Sequence, residues 1–183
     1  MDYLYLSLIF IKMLMGESQK KFITYILGIA IISGIVRVLL DYVSRILDTA
    51  PIIYYSTFLI AFILEVIIII YTIKKYKKVK NIFTIFDALK VGISIMGIVG
   101  LLYCVMAFIY DQYIDPEFQN TMTLKFTEQF SPEQLEQVTE NLKNQDTSKS
   151  YIGVIMYTIW FIFLGSIISL IAGSVLKTKE ELK

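Results

Sequence analysis

A single carboxylate, Glu65, interrupts the apolar run 52–73, and no other residue in the sequence has more chemistry to offer. At the rise of a helix it would lie about 12 Å from the Ile73 end of that run. A charge at such a depth in a bilayer costs several kcal/mol, so these residues usually face a bundle interior and often mark ion or proton pathways. The plainer reading is a Glu65 that is protonated or hydrogen-bonded to a neighbouring hydroxyl. The lack of a second carboxylate to relay protons favours that plainer reading. Two cations are candidate partners: Lys90, just before the run 91–110, and Arg37, inside the run 22–43. By the same rise Arg37 stands about 10 Å farther across the bilayer than Glu65. Its guanidinium is therefore expected to extend to the outer interface, where Asp41 follows at the helical i, i+4 spacing.

The second polar constellation is basic. Lys74, Lys75, Lys77, Lys78 and Lys80 follow the run 52–73 closely. Each lysine beside an anionic membrane surface contributes about 1 kcal/mol, so the cluster is a candidate for lipid headgroups or a cytoplasmic partner. Its simpler role is to fix topology.

Catalysis finds little to work with. The chain has no histidine and one cysteine, so the commonest general base is missing and no disulfide can form within it. No Gly-rich phosphate loop and no HExxH stands in the sequence. Cys104 reads as a small packing residue, since an apolar setting disfavours the thiolate. No cofactor is expected, and a net charge of +1 gives no field to attract nucleic acid.

These residues need elements to hold them. Of the 183 residues, 56% are hydrophobic, above the range of an ordinary soluble domain, about 45–50%. A spanning helix takes about 20 mostly apolar residues, and four runs qualify: 22–43, 52–73, 91–110 and 151–176. The expected fold is all-α, a membrane-embedded bundle of four transmembrane helices covering residues 20–179. Within residues 1–19 the stretch 3–15 is apolar but interrupted by Lys12, which predicts an interfacial extension rather than a span or a cleaved signal; alternatively, translation begins at Met13 or Met15.

Orientation follows from the lysines. Lys20 and Lys21, the cluster 74–80 with Lys90, and Lys177, Lys179 and Lys183 all fall on one side of four spans. That side is the expected cytoplasm, and it holds both termini and the tail 180–183. The segment 111–150 carries eight acidic residues against three lysines, which places it outside. Within it Asp115-Pro116 predicts a capped helix start, and Phe118, Met122, Phe126 and Phe130 form one helical stripe. Ser131-Pro132-Glu133-Gln134 predicts a second start with a capping box, continued by Leu135, Val138 and Leu142. The external segment is thus expected to be two amphipathic helices ending near the polar run 144–150. The stripe would cover the bundle mouth, lie on the outer leaflet or meet a partner. Small residues four apart, Ala30/Gly34, Gly100/Cys104 and Gly165/Ser169/Gly173, let helices approach closely, within the bundle or between copies.

Three stretches carry a family resemblance: Ile73-Lys74-Lys75-Tyr76, Phe86-Asp87-Ala88-Leu89-Lys90-Val91-Gly92, and Tyr113-Ile114-Asp115-Pro116-Glu117-Phe118. With the closing run 168–177 they resemble domain of unknown function 4199 (DUF4199), a bacterial inner-membrane family, over about residues 20–179. The resemblance implies four helices and a long acidic external segment before the last one; it implies no activity. The expected function is that of a non-enzymatic small scaffold or accessory subunit of the inner membrane. Its partners would be the bilayer and a membrane protein or a second copy. The alternative is a small transporter or channel that uses Glu65.

Overall fold

The four long apolar runs are helical, and the first three lie in helices that begin before them. The computed structural model describes residues 17–47, 50–80, 82–144 and 151–177, and among these the chain forms helices and no strand. In chain order they are α1 (Glu17–Ile46), α2 (Pro51–Val79), α3 (Ile85–Ile109), a π-helical turn (Tyr110–Ile114), α4 (Phe118–Phe130), a 3-10 turn (Pro132–Gln134), α5 (Leu135–Asn144) and α6 (Tyr151–Leu176). α1, α2, α3 with its π-turn and α6 are each long and apolar enough to cross a membrane. This is a multi-pass membrane protein. Residues 1–16 of the N-terminal extension, the end of the polar run and the tail 180–183 lie outside the described residues, whereas residues 17–19 already belong to α1.

Local chemistry sets the helix ends. Pro51 occupies the start of α2, where its missing N–H costs nothing. α2 then runs through the lysines to Val79, with Lys77 and Lys78 in its last turn, where cations complement the helix dipole. α3 begins six residues before Val91 because Thr84 and Asp87 close a reciprocal capping box.

In a bilayer, packing rather than water exclusion holds helices together. α3 makes its most extensive contact with α6, and the small residues make it possible. A Cβ on Gly100 would stand 2.6 Å from Phe161, one on Gly165 2.7 Å from Met96, and one on Gly173 2.7 Å from Ala88. Gly34 meets Leu102 of α3 in the same way. The small-residue spacings therefore serve contacts inside the bundle. The filled core, with Ile69, Ile73, Ala88, Val91, Ile95 and Met96 at its centre, lies towards the lysine-bearing end. At the other end no residue of α6 before Phe161 is fully buried.

The segment after α3 folds onto that second end. Phe118 and Met122 are buried against Tyr54, Phe58 and Tyr110; Phe126 touches Tyr55 edge-on, whereas Phe130 is exposed. So half of the stripe covers the bundle end. The expected start at Asp115-Pro116 moves to Phe118, and neither Glu117, the residue before α4, nor Ser131 makes a side-chain cap. Instead the Phe118 N–H donates to the Asp115 carbonyl, and the Gln134 N–H to that of Ser131. Backbone turns satisfy the first donors, so the side chains stay uncommitted.

Candidate functional site

Arg37, Asp41 and Arg45 stand four residues apart on α1 and share one face. All three are buried. Arg37 does not extend to the interface as its calculated height predicted; its Nη1 donates to Oε1 of Glu65 at 2.7 Å, and both side chains are under 10% exposed. Two facts close the expected gap. Phe22 of α1 stacks on Tyr76 of α2 at 4.1 Å, so Tyr76, rather than Ile73, is level with Phe22, where the first apolar run begins. Counted from that stack, Arg37 is about 6 Å higher than Glu65. Helical side chains also lean towards their own N-terminus. In this antiparallel pair Arg37 leans down and Glu65 leans up, so they converge.

The same lean decides the partner of Asp41. Arg45, one turn later, leans back onto it with Nε 2.7 Å from Oδ2, whereas Arg37 leans away. Arg45 also reaches Asp111 in the π-turn through Nη1. The Gln119 amide of α4 donates at 3.4 Å to the other oxygen of Asp111 and at 3.3 Å to the Tyr54 hydroxyl. Both guanidiniums lie over aromatic faces: Arg37 is 4.5 Å from the centroid of Phe161 and 4.8 Å from that of Tyr103, and Arg45 is 4.6 Å from that of Tyr110. Some polar atoms remain without a hydrogen-bond partner: Nε of Arg37, Oε2 of Glu65, Oδ1 of Asp41 and Nη2 of Arg45. The network is connected but not saturated.

A cavity of about 550 Å³ opens between α2, α3 and α6 at this end and reaches Arg37. Arg45 and Asp111 line it from one side, and aromatic rings line most of the rest. Glu65 stands behind Arg37 and does not line the cavity. Below the pair the core is filled, with Ile69, Met96 and Val99 fully buried.

Lys90 is exposed on the second turn of α3, and Arg37 takes the carboxylate it was expected to meet. Of the lysine cluster, Lys74, Lys75, Lys77 and Lys78 line a second hollow with Tyr71 and Leu176. Lys75 also lies 3.7 Å above the Tyr25 ring. Lys80 is set apart from them: its Nζ is 2.6 Å from Asp87, the carboxylate of the capping box. Sequence reasoning missed Arg45, because the apolar run 22–43 ends before it; the recurrence 37, 41, 45 was the available signal. Nothing local announced Tyr54, Asp111 or Gln119 as its neighbours.

The family described as Protein of unknown function (DUF4199) matches residues 21–178, the stretch over which the sequence motifs implied it. No curated protein and no solved structure matches the chain. The chain belongs to the DUF4199 family.

Proposed function

We propose that the chain is a non-enzymatic accessory protein of the cell's inner membrane, acting through contacts, and that the cavity is where it holds a small ligand. One observation carries this reading: the hollow reaches from the bundle end to an arginine ion-paired with a carboxylate at the middle of α2. A scaffold that works through its surface alone has no need of a hollow ending on a buried ion pair. Ligand sites are typically clefts of about 300–1,000 Å³ between helices, mostly apolar with a few convergent polar groups, and this cavity fits that description. On the lysine distribution we place the lysine-bearing end in the cytoplasm and residues 111–144 outside. The hollow beside Lys74, Lys75, Lys77 and Lys78 would then meet anionic headgroups.

The test is aqueous access. In a Cys104→Ala background, Ala107→Cys places a thiol on the cavity wall and Val105→Cys places one on the exposed face of the same helix. In nanodiscs a membrane-impermeant methanethiosulfonate should label position 107 at least about tenfold faster, the two sites differing by only about 3 Å in depth. Equal rates would mean that the hollow holds no water, and the proposal fails.

A small transporter is the second reading, and the Arg37–Glu65 pair itself favours it. The pair lies above the filled core, so a substrate passing through would have to break it. Glu65→Gln should then abolish a flux or a pH-dependent growth phenotype. If that variant grows like the wild type under every condition tried, the transporter is excluded.

A further inference from the structure

We infer that the ligand of this cavity is a small organic cation with apolar surface, such as a substituted ammonium, held by aromatic faces and by the Asp111 carboxylate. This inference rests on reading the cavity as a binding site. Its first support is a charge count. Arg37 and Arg45 stand against Glu65, Asp41 and Asp111, leaving one formal negative charge in the set. The second support is what the cavity can touch. Arg45 is spent on two carboxylates with its side chain 1% exposed, and Arg37 on Glu65 with its side chain 9% exposed. Asp111, at 26%, is the most open charged side chain of the set. The nitrogens that these arginines leave unpaired, Nε of Arg37 and Nη2 of Arg45, are buried out of a ligand's reach, whereas Asp111 accepts from Arg45 and Gln119 and still opens onto the cavity.

The walls point the same way. Arg37 already lies over Phe58, Tyr103 and Phe161, but Tyr55, Phe108 and Tyr157 also line the cavity, and aromatic faces attract cations, quaternary ammonium groups above all. Asp115, Glu117 and Glu128 follow Asp111 along the chain, and like charges beside a low-dielectric cleft concentrate ions of the opposite sign.

The experiment uses the full chain in nanodiscs, with empty discs subtracted, and titrates two probes of similar size by calorimetry. Benzyltrimethylammonium should bind saturably and at least about tenfold more tightly than benzenesulfonate. Asp111→Asn should weaken the cation about tenfold and leave the sulfonate unchanged or improved. Because Asp111 also holds Arg45, Tyr157→Leu supplies a second variant: it removes a ring face from a well-exposed residue and should weaken the cation severalfold with the fold intact. Gly153 lines the cavity, and a Cβ there meets nothing within 4 Å, so Gly153→Trp should fill the hollow and abolish binding. Tighter binding of benzenesulfonate that Gly153→Trp removes would overturn the cation and leave the binding site standing. Saturable binding of neither probe, or binding that Gly153→Trp leaves intact, would overturn both.

Discussion

Removing either partner of the Arg37–Glu65 pair should not cost the same, and the difference follows from acid–base chemistry. At 2.7 Å and an effective dielectric near 20, the gross attraction is about 6 kcal/mol. Desolvation of two buried ions offsets most of it, so the pair as a whole contributes little net stability. Breaking it is another matter: a buried charge left alone costs about 3–5 kcal/mol. Arg37→Met leaves Glu65, which can take up a proton and become neutral, limiting the loss to about 1–3 kcal/mol. Glu65→Met leaves Arg37, which cannot shed its proton, so the full 3–5 kcal/mol is expected, roughly. The double variant restores an apolar contact and should fall within about 1.5 kcal/mol of the wild type. Unfolding in mixed micelles with increasing SDS, followed by near-ultraviolet circular dichroism, gives the four corners of the cycle. The expected coupling is at least about 2 kcal/mol, with Glu65→Met the least stable corner. Additive penalties, or a less stable Arg37→Met, would refute a buried, mutually compensating pair.

Three further outcomes are open to the same preparations. Gly92→Ala would bring a Cβ into Ser169 Oγ and to 2.5 Å from the Gly165 carbonyl oxygen, so α3 and α6 must part; a loss of about 1–3 kcal/mol is expected in SDS unfolding. Gly28→Ala, with nothing within 4 Å, should be neutral or up to about 1 kcal/mol stabilising, and equal effects at the two sites would contradict the tight α3–α6 contact. Arg45→Lys cannot serve Asp41 and Asp111 together, because an ammonium lacks the rigid fork; limited proteolysis should then cut residues 118–144 several times faster, and an unchanged digest would show that Arg45 does not hold the segment down. Thr84→Ala removes the capping box and should cost about 1 kcal/mol, read as an earlier SDS midpoint; no shift would mean that the Lys80–Asp87 contact alone fixes the start of α3.

The helices were legible because a bilayer demands a property that composition displays: about 20 apolar residues in a row. The small residues were legible for a similar reason, since only Gly, Ala or Ser at four-residue spacing permits the approach that Gly165, Ser169 and Gly173 make. The polar site was not, because it depends on vertical register between helices. Taking Ile73 as the end of its span set Glu65 too low, and only the Phe22–Tyr76 stack shows which residues are level. Ending the first span at Val43 left Arg45 outside it. Lys80 was read with the basic cluster, when its ammonium belongs to Asp87 and through it to a helix cap. Charge alone does not say which neighbour a side chain leans towards; helix direction does.

The hollow itself has a cause in residue order. On α6 the buried positions are Phe161, Gly165, Ser169 and Gly173, a ladder with one large residue and then small ones. Below Phe161 the backbone of α6 can lie against Gly92 and Ala88; above it, no residue from Tyr151 to Trp160 is fully buried, Val154 packing only in part against the core. α1 repeats the order, with Ala30 and Gly34 followed on the same face by Arg37, Asp41 and Arg45. Small residues draw the lysine-bearing half together, and long charged side chains hold the other half apart. A sequence selected only for a stable bundle would continue small or apolar residues to both ends, since each buried ion costs desolvation that a well-packed hydrocarbon does not. Two arginines and three carboxylates stand where the packing ladder stops, and that is the physical reason to look there for what the chain binds.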